Sequence, residues 1–427
     1  MIFYAMFFLL VFFIAIRVPI AMAVGGASLF YIICTPDVQP HTAVQRMVGG
    51  VNSYTLLAIP FFIFAGNVMN YGGVTTRIFD FATACVGHIK GGLAHVNVLA
   101  SIIFAGMSGA AVADAGGLGA IEIRAMKERG YGEQVTIGVT AASSLIGPII
   151  PPSMPMVVYA VAASASLGRL FAAGVIPGLL MGASLMILIY LQADKLQCPR
   201  ETRVPFRRLA AAFYRAFLSL MAPVIILGGM FTGWFTPTES AAIASFYGII
   251  LGLIYRDLDY KTMKSAIIGS MTTTIQILLI VGSATLFAYV LAREEVPQQV
   301  AAWVLSITDN YWVVLLMLNI LLLAVGLFME TVASINLLVP VFLPLFEALH
   351  INPVHFGLVM CVNLLIGTLT PPFGSVLFVL SSVSNISVEK VFRHTAIFIW
   401  PLLIVRIILI IFPEISLWLP NLLFGPE

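Results

Sequence analysis

The sequence predicts an all-α protein that crosses a membrane many times and consists of two related halves. Of its 427 residues, 60% are hydrophobic and 9% are charged, whereas an average soluble domain carries about 25% charged residues. One interrupted apolar segment occurs twice, at residues 145–152 and again at residues 365–372. The alternating ten-residue segments of a membrane β-barrel are absent from the sequence.

The first interrupted segment lies within residues 134–168, which are uncharged and mostly apolar. This run is longer than the roughly 20 residues that a helix needs to cross a bilayer. The centre of this run contains Gly147, Pro148, Pro151 and Pro152. Prolines exclude one continuous helix, because they have no backbone N–H to donate and their rings clash with the preceding turn. We expect two half-helices joined by unwound chain. Within a membrane, unwound chain is stable only where it is buried in protein or lines a water-filled cavity.

The second half repeats this segment in the same register, 220 positions later. The matched pairs outside the break are Gly106 with Gly326, Val112-Ala113 with Val332-Ala333, and Val139 with Val359. Two interrupted segments at corresponding places in two halves are the best sequence indication of a transporter binding site.

A re-entrant hairpin is predicted before each break. Residues 91–130 are apolar at 93–104 and at 112–121, and each piece is too short to span about 30 Å. The small residues 106–111 between them suit a tip where backbones approach closely. Two cramped full crossings are the alternative. The second hairpin covers residues 311–347, with its tip near residues 326–331, and the second break lies within residues 348–388.

The other predicted elements are plain crossings and two amphipathic arms that lie on the membrane surface. The crossings are residues 2–16 (a retained helix, because no signal-peptide features are present), 20–34, 53–69, 170–191, 216–233, 240–255, 265–291 and 395–412, and the arms are residues 72–90 and 293–310. The resulting domains are first-repeat scaffold and arm at 1–90, first transport part at 91–192, cytoplasmic basic loop at 193–212, second-repeat scaffold and arm at 213–310, second transport part at 311–412, and a C-terminal tail at 413–427.

Basic residues orient the chain. The densest positive cluster comprises Lys195, Arg200, Arg203, Arg207, Arg208 and Arg215, which places this connection in the cytoplasm. When the crossings are counted from this connection towards each end of the chain, the other basic connections fall on the cytoplasmic side and both termini fall on the outer side. The first hairpin then opens to the cytoplasm and the second to the outside, so the two repeats are predicted to be inverted.

The tips and breaks offer oxygen atoms to a cation. The side chains there are Ser108, Ser143, Ser144 and Ser153 in one half, and Thr331, Asn363, Thr368 and Thr370 in the other. Sodium prefers oxygen ligands, which unwound carbonyls also supply, and half-helix N-termini suit an anionic substrate. The alternative is that these small residues merely allow close helix packing.

Three acidic residues lie in apolar surroundings, where charge is expensive and points to function. Asp114 lies beside the first tip and Glu330 at the second. Asp114 is a candidate cap, ion-site neighbour or substrate contact. Glu239 is at the N3 position if Thr236 caps a helix, so a capping box is its simplest interpretation.

Enzymatic activity is not expected. Residues 106–109 spell G-x-S-G, the nucleophile pattern of rhomboid-type intramembrane proteases, but a nucleophilic serine needs a base. The six histidines fall near predicted segment ends, no H-E-x-x-H is present, and four cysteines are scattered singly, which excludes the usual zinc and disulfide patterns. The net charge of +2 indicates no nucleic-acid partner. A channel is a further alternative, and large single-channel currents would identify it.

Several motifs together resemble the large membrane subunit of tripartite ATP-independent periplasmic (TRAP) transporters, the DctM-like family. They are Leu57-Ala58-Ile59-Pro60-Phe61-Phe62, Ala65-Gly66, Ser108-Gly109-Ala110-Ala111-Val112-Ala113-Asp114, Ile149-Ile150-Pro151-Pro152-Ser153, Phe235-Thr236-Pro237-Thr238-Glu239, Ile366-Gly367 and Thr370-Pro371-Pro372-Phe373-Gly374. The resemblance covers essentially the whole chain. Ala110 departs from it, because many relatives carry a second serine there.

The resemblance implies a sodium-driven importer of organic acids in the bacterial inner membrane, with an elevator-type fold in which a transport domain moves against a scaffold. It also implies two partners, a small DctQ-like membrane subunit, expected as a separate polypeptide, and a periplasmic substrate-binding protein. A sodium-coupled elevator carrier of anions that works without a binding protein is the runner-up.

The resemblance also implies site residues. One sodium site falls on Gly106, Ser108, Ser144 and Pro151, and a second on Gly326, Thr331, Gly367 and Thr370. Substrate is expected between the tips, near Asp114, Ser153 and Gly374. No cofactor is expected apart from sodium as the coupling ion.

Overall fold

The computed structural model describes residues 1–196, 198–199 and 205–426, and the regular structure of this part is helical. It contains 21 α-helices: α1 (Ile2–Ala15), α2 (Ile20–Cys34), α3 (His41–Val51), α4 (Ala58–Tyr71), α5 (Val74–Val86), α6 (Gly92–Ser108), α7 (Ala111–Gly116), α8 (Leu118–Glu128), α9 (Glu133–Ser143), α10 (Met154–Ala162), α11 (Leu167–Gln192), α12 (Phe206–Phe231), α13 (Pro237–Tyr255), α14 (Tyr260–Arg293), α15 (Val296–Ile307), α16 (Tyr311–Gly326), α17 (Thr331–Ala348), α18 (Pro353–Gly367), α19 (Ser375–Ser384), α20 (Val388–Ile411) and α21 (Glu414–Phe424).

Six helices within the described ranges are long and apolar enough to cross a membrane, namely α11, α12, α13, α14, α17 and α20. Helices α3 and α4 form a further candidate span that is bent by 64°. The predicted all-α polytopic fold is therefore confirmed. The re-entrant form of the second hairpin stays a prediction, because the 18 residues of α17 are by themselves enough to span.

Both predicted helix breaks are present. Helix α9 ends at Ser143, a short 3-10 turn follows, and α10 begins at Met154 after unwound chain. Helix α18 ends at Gly367 and α19 begins at Ser375. Prolines account for the interruptions, since they cannot donate to a helical ladder.

The order of helices repeats at the offset that the sequence indicates. Helices α6, α9, α10 and α11 correspond to α16, α18, α19 and α20, and α7 with α8 corresponds to α17. The halves pack reciprocally, because α7 contacts α19 while α10 contacts α17, and α9 contacts α20 while α11 contacts α18. Such exchanged contacts are expected of two units related by a two-fold axis. Their inversion relative to the membrane, and the division into scaffold and transport domains, stay predictions.

The sequence interpretation missed two helices. Helix α3 lies in a connection that was expected to be polar chain, and it packs against α14, where the guanidinium of Arg46 lies 4.5 Å from the ring centre of Tyr289. Helix α21 lies in the expected C-terminal tail and packs against α11. Its Ser416 hydroxyl is 2.8 Å from Nδ1 of His355 on α18.

Two remaining sequence predictions concern the start of α13 and the basic cluster before α12. Thr236 and Glu239 form the expected capping box at the start of α13, where the Thr236 N–H donates to the Glu239 carboxylate at 2.8 Å. Glu239 thus has a structural role. Arg200 and Arg203 of the basic cluster lie outside the described residues.

The contact between α3 and α14 generates a prediction with a neighbouring control. A Cβ added at Gly50 would lie 2.2 Å from Oγ1 of Thr285, whereas a Cβ at Gly49 would meet nothing within 4 Å. We expect Gly50→Ala to lower the free energy of unfolding by about 1–3 kcal/mol through overpacking. Gly49→Ala should instead raise it by up to about 1 kcal/mol, because alanine favours helix. Thermal unfolding in detergent measures both variants, and equal effects would contradict the packing of α3 on α14.

Candidate functional site

The first hairpin tip contacts the first helix break directly. The N–H of Met154, at the start of α10, donates to the carbonyl of Gly109 at 3.3 Å. Gly109 has φ of +66°, and a Cβ there would lie 2.6 Å from the Pro152 carbonyl oxygen. Glycine is required at this tip, because it allows both the left-handed backbone and the close approach.

The second tip meets the second break at nearly equivalent positions. The N–H of Phe373 donates to the carbonyl of Leu327 at 3.2 Å. A Cβ at Gly367 would lie 2.6 Å from the Gly326 carbonyl oxygen, so these two residues of the expected second sodium site are in backbone contact. The structure thus brings tip and break together in both halves.

Asp114 has one carboxylate oxygen without a partner. Its side chain is 2% exposed, and Oδ1 accepts a hydrogen bond from the Ser108 hydroxyl. Oδ2 is buried and makes no hydrogen bond to any described residue. It lies over Gly147, where an added Cβ would be 2.0 Å from Oδ2 and 3.3 Å from the Ser144 carbonyl oxygen. Asp114, which the resemblance places near the substrate, therefore lies among the residues expected to bind the first sodium.

Glu122 is a second buried carboxylate near this site, and the sequence analysis did not single it out. It is 1% exposed, its Oε1 has no partner in the described part of the chain, and its helix α8 packs against α7, which carries Asp114. The charged neighbours Arg124, Lys127 and Glu128 give this stretch the pattern of a solvated helix. Glu122 is nevertheless buried, because α8 packs against α6, α7 and α9.

At the second tip, Thr331 has an unused hydroxyl. It is the first residue of α17 and is 3% exposed, and its Oγ1 has no hydrogen-bond partner within the described ranges. Thr370 differs, since its hydroxyl donates to the Ile366 carbonyl at 3.3 Å. A small hard cation is suited to buried oxygen atoms that have no hydrogen-bond partner and lie next to unwound backbone. The residues present at both tips therefore fit sodium.

A central cavity of about 680 Å³ lies between the two tips and the two breaks. Its walls include Ala110 and Val112 from the first tip, Glu330 and Thr331 from the second, and also Pro148, Met154, Leu365, Thr368 and Ser375 from the breaks. The volume is in the range of small-molecule pockets, about 300–1,000 Å³. The cavity is the place where both halves can act on one ligand.

Two of the expected substrate residues lie beside the cavity wall. Ser153 caps α10, because its hydroxyl donates to the Pro148 carbonyl at 2.5 Å and accepts from the Met156 N–H at 3.3 Å. Gly374 precedes α19, and a Cβ there would lie 2.8 Å from the Thr368 carbonyl oxygen. Their chain neighbours Met154 and Ser375 line the cavity. The substrate roles of Ser153 and Gly374 stay predictions.

Helix α14 supplies cavity residues that the sequence analysis missed. Thr273 and Gln276 line the central cavity, and Thr273 also lines a neighbouring cavity of about 390 Å³ that includes Asn67 and Asn70 of α4. The sequence feature that could have identified them is a set of amide and hydroxyl side chains inside long apolar helices. Burying such polar groups within a membrane costs free energy, so their presence there indicates a function.

Buried amides hold the half-helices in place behind the breaks. Ser143 donates to Asn97 Oδ1 at 2.6 Å, which joins α9 to α6. At the corresponding place Asn363 donates to Asn319 Oδ1 at 2.9 Å, which joins α18 to α16. Nη1 of Arg406 also donates to Asn363 at 3.2 Å. Ser143 and Asn363, expected near the ions, thus fix the helices that carry the site.

The contact between first tip and first break can be tested with two glycines of similar backbone geometry. Gly109 and Gly130 both have positive φ, +66° and +79°, but an added Cβ at Gly130 would meet nothing within 4 Å. Alanine at either site costs about 1–2 kcal/mol of backbone strain, and Gly109→Ala should cost about 1–3 kcal/mol more through overpacking. Thermal unfolding in detergent gives the comparison, and an equal loss for both variants would contradict the contact.

Comparison with known proteins agrees with this architecture. Residues 7–415 match the family described as "Tripartite ATP-independent periplasmic transporter, DctM component". The chain is 43% identical over 411 residues to the sialic acid TRAP transporter large permease protein SiaM of Vibrio cholerae, a match that covers 95% of this chain and 96% of that relative. It is 42% identical over 402 residues to the C4-dicarboxylate TRAP transporter large permease protein DctM of Pseudomonas aeruginosa, covering 94% of each.

A solved structure shares the fold. The YdaH transporter of Alcanivorax borkumensis aligns with a TM-score of 0.66 over 95% of this chain and 98% of that one, at 15% sequence identity. The two sequence relatives are transport proteins, which points away from an enzyme. The chain belongs to the DctM family of TRAP transporter large permease subunits and is a multi-pass protein of the bacterial inner membrane.

Proposed function

We propose that this chain is the large permease of a sodium-coupled TRAP importer of an organic acid. The observation that carries the proposal is the central cavity, whose wall contains both hairpin tips and both helix breaks. The names of the two relatives mention sialic acid and C4-dicarboxylates, both carboxylates. These names support an organic acid as the substrate class, and the particular acid differs among relatives.

Helix N-termini favour an anion in this cavity. Met154, Thr331 and Ser375 are the first residues of α10, α17 and α19, and all three line the cavity. The N-terminus of a helix presents unpaired N–H groups and a partial positive charge. Three such ends around one space can bind the carboxylate of a substrate.

Coupling to a cation is supported by the acidic groups near the cavity. Glu330 lies in the cavity wall, and Asp114 lies close to the first tip with an oxygen unpartnered among the described residues. An anionic substrate beside these carboxylates meets repulsion unless positive charge is added. Sodium, when bound at the two sites, supplies that charge. No organic cofactor is part of the proposal.

Two sets of residues would hold the ions. The first is Gly106, Ser108, Ser144 and Pro151 with Asp114 added, and the second is Gly326, Thr331, Gly367 and Thr370. Each set draws on a tip and a break that are in contact, so an ion there fixes the tip in its closed position. Ions and substrate then favour the same ordered state, which is the condition for thermodynamic coupling.

An elevator-type movement and two partners complete the proposal. The hairpins and broken helices contact one another across the two halves, α4 packs closely with α13 and α2 with α14, and α14 also contacts α17 of the second hairpin. These contacts support a transport unit that moves against a scaffold. The partners are a small DctQ-like membrane subunit and a periplasmic binding protein, which give the family its tripartite name.

Reconstitution tests the function. Proteoliposomes that contain both membrane subunits should take up the acid only with an inward sodium gradient and the loaded binding protein. Uptake that needs no binding protein would favour a carrier of the runner-up type, and large single-channel currents would favour a channel. Uptake without sodium would overturn the proposed coupling.

Thr331→Val tests the second ion site in the same assay. Valine keeps the shape but removes the hydroxyl, and losing a hydrogen-bond-like contact to a charged group costs about 1.5 kcal/mol or more. The sodium concentration for half-maximal uptake should therefore rise at least about tenfold. Thr395→Val is the matched control, because Thr395 is equally buried and its hydroxyl donates to the Val391 carbonyl at 2.8 Å. Unchanged sodium dependence in Thr331→Val would contradict this ligand.

Asp114→Asn separates an ion ligand from a substrate contact. Asparagine keeps the size of the side chain and can still accept from Ser108, but it removes the charge. We expect the half-maximal sodium concentration to rise roughly 10- to 100-fold, with little change in the KM for substrate at saturating sodium. Stabilisation of the detergent-solubilised protein by sodium gives an independent measurement. A changed KM with unchanged sodium dependence would assign Asp114 to the substrate.

A further inference from the structure

A basic cavity of about 710 Å³ lies away from the tips, between α5, α12 and the end of α13. Its walls include Arg77 and Asp80 of α5, Arg208 and Arg215 of α12, and Tyr255 of α13. The basic cluster to which Arg208 and Arg215 belong is the one that the positive-inside rule places in the cytoplasm. None of these residues takes part in the proposed transport site.

The sequence of α12 explains why a cavity forms there. Arg208, Ala211, Ala212 and Arg215 are spaced so that they share one face of the helix. The two alanines are too short to fill the space between the arginines, and both line the cavity. The result is a notch with a guanidinium at each end.

The cavity has an excess of positive charge. Arg77 is paired with Asp257 at 3.0 Å and lies 3.7 Å from the ring centre of Tyr255. Arg208 and Arg215 make no ion pair with any residue that the structure describes. Asp80 is the only acidic residue among the described residues of the wall, and the charges of both Arg77 and Arg215 act on it.

Helix α12, which forms one wall of the cavity, also exposes apolar side chains that suit contact with lipid. Phe213, Tyr214 and Phe217 of α12 are 46%, 84% and 41% exposed. The ring centre of Phe213 lies 5.9 Å from that of Phe81 on α5, so these rings adjoin the helix pair that forms the cavity. On a membrane-crossing helix, such exposed rings suit contact with acyl chains.

We propose that this cavity binds the phosphate headgroup of an anionic phospholipid from the cytoplasmic leaflet. Basic pockets between membrane helices on this side are suited to acidic headgroups, and arginine pairs with phosphate through two parallel hydrogen bonds. The acyl chains remain in the bilayer that surrounds α12. The lipid joins α5 to α12 and so stabilises the part of the chain that was predicted to be scaffold.

Lipid binding to the purified chain tests the proposal. Dioleoyl phosphatidylglycerol added to the protein in detergent should raise the unfolding temperature and should be retained in native mass spectrometry, whereas dioleoyl phosphatidylcholine should do neither. Each arginine near an anionic lipid contributes a roughly fivefold gain in affinity. Replacing Arg208 and Arg215 by glutamine should therefore weaken phosphatidylglycerol binding about 25-fold.

Two further variants separate the cavity from general surface charge. Ala211→Leu fills the notch without a change of charge and should also weaken binding, while Ala210→Leu, at an exposed position on α12, should not. Lys261→Gln with Lys264→Gln removes the same charge from α14 and should leave binding intact. Equal binding of the two lipids, or full binding by Ala211→Leu, would overturn the proposal. The same stabilisation by inorganic phosphate alone would also overturn it, because the cavity would then be assigned to a soluble anion.

Discussion

Backbone polar groups at membrane depth must find partners, and the helix breaks of this protein depend on that constraint. Prolines open the ladder at residues 147–153 and again at 368–374. The freed groups are satisfied by the hairpin tips, through Met154 to Gly109 and Phe373 to Leu327, and by local hydroxyls such as Ser153. Each tip therefore supplies a backbone acceptor that its break needs.

The same constraint makes the site suitable for ions. Tip and break can touch only because glycines such as Gly367 leave no side chain between the backbones. The close contact concentrates carbonyl dipoles, and it leaves oxygens of Asp114 and Thr331 buried without partners in the described chain. In the proposed mechanism, a cation that binds there gains these oxygens and strengthens the contact, which links occupancy of the ion site to closure of the tip.

The two halves have diverged around this shared plan. Asp114 and Ser108 of the first half correspond to Ser334 and Phe328 of the second, so the pairing of a carboxylate with a hydroxyl is not repeated at these positions. The first half bends between α3 and α4, whereas the corresponding α14 is one helix of 34 residues. The divergence gives the two expected ion sites different ligands and gives the cavity a continuous wall along α14.

The sequence by itself determined the membrane class, the two breaks, the repeat and the family, because composition, proline position and register are local properties of the chain. The capping box of Glu239 was predictable for the same reason. Tertiary structure alone decided that Asp114 meets Ser108, that Glu122 is buried, and that α14 lines the cavity. These facts depend on which helices and side chains pack together in space, and helical periodicity in an apolar chain does not specify those neighbours.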